Sequence, residues 1–443
     1  WRLGVPAKTE HNEVAPGQYE LASVFATANI ACDHNQIMME LMRKVALRHN
    51  FACLLHEKPF AGVNGSGKHN NWSIVTNTGK NLLNPTDKPE ENPVFLVTLC
   101  AVLTAVDKYA DLLRLSASCP GNEERLGGNE APPAVVSIFL GNALTHMLQE
   151  LAEGHALQKE ERGALLTGVK SLPLLKLDDS DRNRTSPFAF TGNKFEFRMV
   201  GSSRSASTTN IILNTIVADS LSRIADELQN YKYIDDIRKK SLTICRNILQ
   251  KHHRILFSGD GYSEEWLKEA DRRGLPNIAH YIDSIQALID DKAIAMFERN
   301  KVYNELELQA RVDILTEEYR KSVKAEVLTL LNISKKEILP ALVKEIKFYS
   351  DAQNSLGIEN AYYQRKIKHL LQLLHDFDEH YHELKEKMEN REQHPENRAK
   401  AKYLDTVVLP AMDALRTVID NIEESISREH YPFPTYDDMF MAM

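Results

Sequence analysis

In "HNEVAPGQYE", residues 11 to 20, two glutamates stand at equal distances from a proline–glycine pair. Pro16 presets φ, and Gly17 tolerates the positive φ that the second centre of a type II turn requires. A hairpin closed there sets Glu13 and Glu20 across from one another. Like charges directly opposed are destabilising. They persist if one is protonated or a cation sits between them. Oxygen donors select a hard divalent ion such as Mg²⁺ or Mn²⁺. The competing reading is a surface hairpin with two solvated glutamates, because type I and II turns do not favour two-residue hairpins.

A second group lies in "GVNGSGKHNNWS", Gly62 to Ser73. Gly62 to Lys68 has the spacing of a phosphate-binding loop, but His69 stands where that motif needs a hydroxyl. Such a loop also opens a helix, whereas "HNNWSIV" alternates and runs into the turn "TNTGK". As a strand, it puts His69, Asn71 and Ser73 on one polar face. The glycines let a backbone come close to a ligand and expose N–H groups to an anion. A neutral His69 can ligate a metal. Alone, the loop reads as an ordinary turn.

"RNRTSPFAFTGNKFEFRMV" gives a strand, a turn at "TGNK" and a second strand. In the latter, Phe195, Phe197 and Met199 share one face, and Lys194, Glu196 and Arg198 share the other. The default for that charged face is solvation. With Arg182 and Arg184 nearby it also suits metal plus phosphate, since guanidinium forks bind phosphate bidentately. In "ERLGGNEAPP", Gly127 and Gly128 make a mobile loop between Arg125 and Glu130. A charge on such a loop can close over a substrate; otherwise the loop is plain and exposed.

These groups need a scaffold. Residues 1 to about 205 mix short alternating runs with helical stretches such as "NQIMMELMRKVALRH" and "PVFLVTLCAVLTAVDKYADLLRL", a mixed α and β pattern. From "NIILNTIVADSLSRIADELQN" onward the pattern is almost wholly helical. Tyr363, Ile367, Leu370, Leu374, Phe377, Tyr381, Leu384 and Met388 keep three-four spacing, an a/d seam. "NREQHPENRAK" breaks it before a second apolar helix, so a helical hairpin is expected. His369, His375, His380 and His382 are taken as surface residues of this half.

The chain has 443 residues and a net charge of 54 − 62 = −8, with no global basic footprint for nucleic acid. No apolar run is long enough to span a membrane. Five scattered cysteines without a CxxC pair point to reduced thiols and a cytoplasmic location. The chain starts with Trp1 rather than Met, and its natural N-terminus is expected upstream.

Taken together and in order, the motifs closely resemble those of glutamine synthetases. "HNEVAPGQYE" resembles the family's metal-binding pattern, "NGSGKHNNWS" its glutamate and ATP loop, "RLGGNEAP" its flap, and "RNRTSPFAF…KFEFR" its phosphate and metal region. "HEKPFAGVNGSGKHNNWS", the long helical extension, "GDGYSEEWLKEADRRGLPN" and "YPFPTYDD" are similar to the type III enzymes. The fold implied is α+β. A glutamine synthetase-like catalytic domain (1–230), with an antiparallel sheet forming the active site and flanking helices, precedes an all-helical C-terminal domain (231–443) with a coiled-coil-like hairpin.

The resemblance also implies roles. Glu13 and Glu20 would hold one metal, and His69 and Glu196 the second. Asn64 and Gly65 would hold the substrate glutamate. Arg125 and Arg198 would grip glutamate or the transferring phosphoryl group, and Arg184 the ATP phosphates. Ser73 would touch nucleotide, Phe25 would stand at the adenine, and Glu130 on the flap would take a proton from ammonium. Asn71 replaces a second histidine of the bacterial type I enzymes. Lys194 replaces an arginine, so its phosphate contact becomes a point charge.

The family's N-terminal β-grasp domain, which lends an aspartate to a neighbour's ammonium site, is expected to be missing from the chain as it begins at Trp1. A chain starting there is therefore expected not to make glutamine at a normal rate by itself. The cofactors implied are ATP and at least two Mg²⁺ or Mn²⁺ ions. The partners implied are L-glutamate, ammonium and further copies of the chain in rings, with a dodecamer expected. ATP would convert glutamate to γ-glutamyl phosphate, which ammonia then attacks, and flap closure would exclude water. The alternatives are a γ-glutamyl-amine ligase and a non-catalytic assembly or regulatory relative.

Overall fold

The apolar run after Asn92 organises the first half of the molecule. Asn92 caps the run, its side chain accepting from the Phe95 N–H at 3.1 Å, and Pro93 fills the first helical position. The helix that follows is buried on nearly every side: Phe95, Leu96, Leu99, Cys100, Ala101, Val102 and Leu103 are at most 1% exposed. In this computed structural model the described residues are 1–128, 131–154, 164–165, 175–176, 186–357, 359–435 and 438. They divide into two compact units, Trp1–Gln309 and Ala310–Met443.

In the first unit, β1 (Ala7–Asn12) and β2 (Tyr19–Ser23) form an antiparallel hairpin, followed by α1 (Ala28–Arg48). Then come β3 (Gly67–Trp72), the capped helix α2 (Pro93–Lys108), α3 (Ala110–Ser116), α4 (Asn122–Arg125), β4 (Ile138–Phe139) and α5 (Asn142–Glu153). The short strands β5 (Ala164–Leu165) and β6 (Leu175–Lys176) pair with each other. Next are β7 (Phe188–Phe190), β8 (Phe195–Gly201), α6 (Ser207–Leu228), α7 (Ile234–His252), α8 (Glu264–Arg272), α9 (Tyr281–Ser284) and α10 (Asp291–Arg299). The expected helix over residues 93–115 bends by 80° between α2 and α3. Among the described residues no single helix is long and apolar enough to cross a membrane.

A four-stranded sheet, ordered β3-β8-β7-β4, positions the residues of interest. Its pairs are antiparallel except β4 with β7, which is parallel. The β7–β8 turn falls on Thr191–Lys194 as expected, with the Thr191 N–H donating to the Lys194 carbonyl at 2.8 Å. Gly192 has φ of +84°, a left-handed value that glycine adopts at no steric cost. Phe188, Phe195 and Phe197 are fully buried, the first two stacked at 4.5 Å. The opposite face of β8 is not solvated, contrary to its default reading: Glu196 is 6% and Arg198 2% exposed. Behind β3, Trp72 Nε1 donates to Asn214 Oδ1 at 2.8 Å, tying the strand to α6.

The second unit is helical. It holds α11 (Glu305–Ile333, whose first turn precedes the unit boundary), α12 (Leu339–Leu356), α13 (Ala361–Asn390), α14 (Asn397–Tyr403) and α15 (Leu409–Ser425). The expected seam is real. Leu370, Phe377, Leu384 and Met388 of α13 are buried, and α13 packs on α12 and α15. His369, His375 and His382 are exposed and His380 half-buried.

Candidate active site

The hairpin closes through the expected turn: the Gln18 N–H donates to the Ala15 carbonyl at 3.1 Å, and Gly17 has φ of +67°. Its register differs from the symmetric expectation. His11, not Glu13, lies opposite Glu20, and the Glu13 N–H donates to the Gln18 carbonyl at 2.9 Å. The two carboxylates still share a face, with His11 between them. His11 Nε2 lies 2.9 Å from Glu13 Oε1 and 3.1 Å from Glu20 Oε2. One ligand atom from each of the three lies within 4.8 Å of the others. Burial, then the hydrogen bond shared with Glu13, pushes the Glu20 carboxyl above its ordinary value, against the opposing pull of His69 and His11. Two carboxylates and an imidazole, one carboxylate reluctant to ionise, suit a divalent cation.

His69, at the head of β3, belongs to the same neighbourhood. It interacts electrostatically with Glu20, and its Nδ1 lies 2.9 Å from Glu196 Oε1. A bulge in the β3–β8 register between Lys68 and Asn70 places it there. The hairpin also clamps the glycine loop. Gln18 Nε2 donates to the Gly65 carbonyl and to Ser66 Oγ, both at 2.9 Å.

Other expected residues fall around this centre. Phe25 is 70% exposed, and Lys194 Nζ stands 5.7 Å from its ring centroid. The Ser73 hydroxyl lies 2.9 Å from Asn81 Oδ1 and 3.0 Å from the Asn193 carbonyl. Asn71 Nδ2 donates to the His69 carbonyl at 3.5 Å. Asn64 sits in the loop ahead of Gly65. The arginines lie deeper. Arg125, 5% exposed, donates to Asn122 Oδ1 at 3.1 Å and to the Arg198 carbonyl at 3.1 Å. Burial pushes its guanidinium down to about 10. Arg198 donates to the Ser186 carbonyl at 3.2 Å. Glu130, Arg182 and Arg184 lie outside the described residues.

Two participants escaped the sequence reading. His11 carries a legible signal: as i−2 of Glu13 on a strand, it must share that residue's face. Glu57, buried beneath the glycine loop, stands within the quoted "HEKPF" stretch, but nothing in its spacing marks it as part of the site. Its position emerges only from the packing of loop 55–66 on residues 201–203.

The fold sets a cluster of carboxylates and histidines beside a glycine loop, and the comparisons name the family. Residues 1–114 match the glutamine synthetase catalytic domain, and residues 241–355 match the glutamine synthetase C-terminal domain. The chain belongs to the glutamine synthetase family. It is 40% identical to the type-3 glutamine synthetase of Dictyostelium discoideum, over 99% of this chain and 61% of that protein. It is 42% identical to a glutamine synthetase of Butyrivibrio fibrisolvens, over 100% of this chain and 64% of that protein. The chain therefore spans a little over three fifths of these relatives' length. A solved Plasmodium falciparum glutamine synthetase aligns over 71% of this chain and 55% of its own, at 15% identity and a TM-score of 0.43.

Proposed function

We propose that the protein ligates ammonium to the γ-carboxylate of L-glutamate at the expense of ATP, through γ-glutamyl phosphate. The observation that carries this reading is the hairpin of His11, Glu13 and Glu20 set against His69 and Glu196, beside a glycine loop. Glu13 and Glu20, with His11, would hold one divalent cation, Mg²⁺ or Mn²⁺; His69 and Glu196 would hold a second. Such ions supply charge neutralisation to a transferring phosphoryl group.

The chain's own residues do the rest. The backbone at Asn64 and Gly65 receives the glutamate. Phe25 presents an exposed ring to the adenine, Lys194 a point charge to the phosphates, and Asn71 and Ser73 polar contacts to the nucleotide. Arg125 and Arg198 add positive charge from beneath, and Arg184 adds it at the phosphates. Glu130 takes the proton that ammonium must lose before it attacks. We further propose a cytoplasmic protein that assembles into rings, as a dodecamer, with neighbours completing each site. The free state of all five cysteines supports the compartment.

The test uses the full-length natural protein with ATP, glutamate and ammonium, and in parallel hydroxylamine and small amines. Glutamine formation with ammonium preferred over methylamine is the expected result. Preference for an amine would replace the reading with that of a γ-glutamyl-amine ligase. No turnover with any nucleophile would point to a non-catalytic relative.

A further inference from the structure

Beneath the glycine loop lies a carboxylate that the mechanism above does not use. Glu57 is 1% exposed. Its Oε1 accepts from the Ser203 N–H at 2.9 Å and from the Ser203 hydroxyl at 2.6 Å. Its backbone carbonyl accepts from the Ser66 N–H at 2.8 Å, so one residue ties the loop to the chain leaving β8. Three glycines make room for it and for Arg125. A methyl group at Gly65 would overlap the Glu57 carbonyl, and one at Gly67 would overlap the Arg125 guanidinium. At Gly201 a methyl would stand 2.5 Å from Glu57 Oε1.

The surroundings are cationic. Lys68 Nζ donates to the Ser202 carbonyl at 2.5 Å and also to the Arg204 carbonyl. Burial pushes Arg125 down to about 10, and the negative charge of Glu57 opposes that shift. Buried cations of this kind hold their charge and place only while a counter-charge stays with them.

We infer that Glu57 is a positioning residue for the dicarboxylate substrate: its buried charge fixes Arg125 and the Asn64–Gly67 loop in the geometry that receives glutamate. This rests on the site reading given above. Glu57 touches no substrate and acts through Arg125 and the loop backbone.

Glu57→Gln isolates the charge, because the amide oxygen can still accept from Ser203. In the full-length natural protein the expected result is a rise of about tenfold in KM for glutamate, with KM for ATP within about threefold of wild type. Loss of interactions made to bound substrate and transition state alike appears in KM. The glutamate-dependent rise in melting temperature should shrink in parallel. Because Glu57 works through Arg125, the double variant Glu57→Gln/Arg125→Gln should be no worse for glutamate than Arg125→Gln alone, whereas independent residues give multiplying losses.

A wild-type KM for glutamate in Glu57→Gln, with the wild type making glutamine, would overturn the inference alone. Equal losses for glutamate and ATP would overturn it too, by showing a general structural role. A wild type with neither glutamine formation nor a glutamate-dependent melting shift would remove the site reading, and the inference with it. Should Glu57→Gln fail to fold, folding of the double variant would support charge pairing, and its failure to fold would overturn the proposal.

Discussion

At the level of single residues, the face that Glu13 and Glu20 share was legible and its register was not. The pairing sums differ by two between the expected Glu13–Glu20 and the observed His11–Glu20 pair. An even offset preserves which side chains share a face, so Glu13 and Glu20 converge despite the slip, and His11 joins them. Glu20 offers a direct test. Its raised pKa means the folded state holds that proton more tightly than the unfolded chain does. Ionisation above the ordinary carboxylate range therefore costs folding stability, and the cost vanishes in acid. Without divalent ions, Glu20→Gln should melt higher than wild type at pH 7 and show no gain near pH 4. A cation bound at a hundred times its Kd stabilises by about 2.7 kcal/mol. Mn²⁺ should raise the melting temperature of the wild type and much less that of the variant. Equal Mn²⁺ effects on both would exclude Glu20 as a ligand.

At the level of elements, the strongest local signals translated directly. "TGNK" became the β7–β8 turn, and the three-four seam became the buried stripe of α13. The charged stripe of β8 misled, because alternation reports which residues share a face and not whether water reaches it. Glu196 and Arg198 sit on β8, an inner strand between β3 and β7, and both are buried. Two local distortions have a common cause. Single π turns at Ser334–Ile338 and Leu404–Val408 each end two residues before a proline, Pro340 and Pro410. Proline lacks the N–H that the carbonyl four residues earlier needs, and a π turn is one way to absorb the break. The glycine loop gives the element-scale prediction. Ala at Gly67 forces its methyl against Arg125, and overpacking of this kind costs about 1–3 kcal/mol. Gly67→Ala should lower stability by that order and weaken glutamate binding. Arg125→Ala in the same chain should recover part of the stability. No recovery would mean that the methyl group strains the backbone instead of displacing the guanidinium.

On the scale of the whole molecule, the expected change from mixed to helical structure near residue 205 agrees with the start of α6 at Ser207. We propose the division 1–230 and 231–443 as the boundary of the family modules, in keeping with the C-terminal domain match from residue 241. The compact units instead part after Gln309, because α6, α7 and α10 bury their apolar faces within the first unit. Composition marks where strands stop, but it cannot tell against which core a helix packs. The second unit has its own buried carboxylate contact. Glu345 of α12, 1% exposed, accepts from Ser427 Oγ at 2.8 Å and lies 2.6 Å from His430 Nδ1. Burial pushes its carboxyl up, but the hydrogen bonds from His430 and Ser427 outweigh that and hold it below its ordinary value. A depressed carboxylate contributes stability above the unfolded-state pKa of roughly 4.3, and that contribution is lost as pH falls below it. Calorimetric melts of the full chain should therefore show Glu345→Gln less stable than wild type by about 1–3 kcal/mol at pH 7, the scale of a hydrogen bond to a charged group. The difference should narrow steadily toward pH 3.5. A gap that stays constant across that range would show that Glu345 contributes through packing and neutral hydrogen bonding, and that its charge does not hold α12 to the segment after α15.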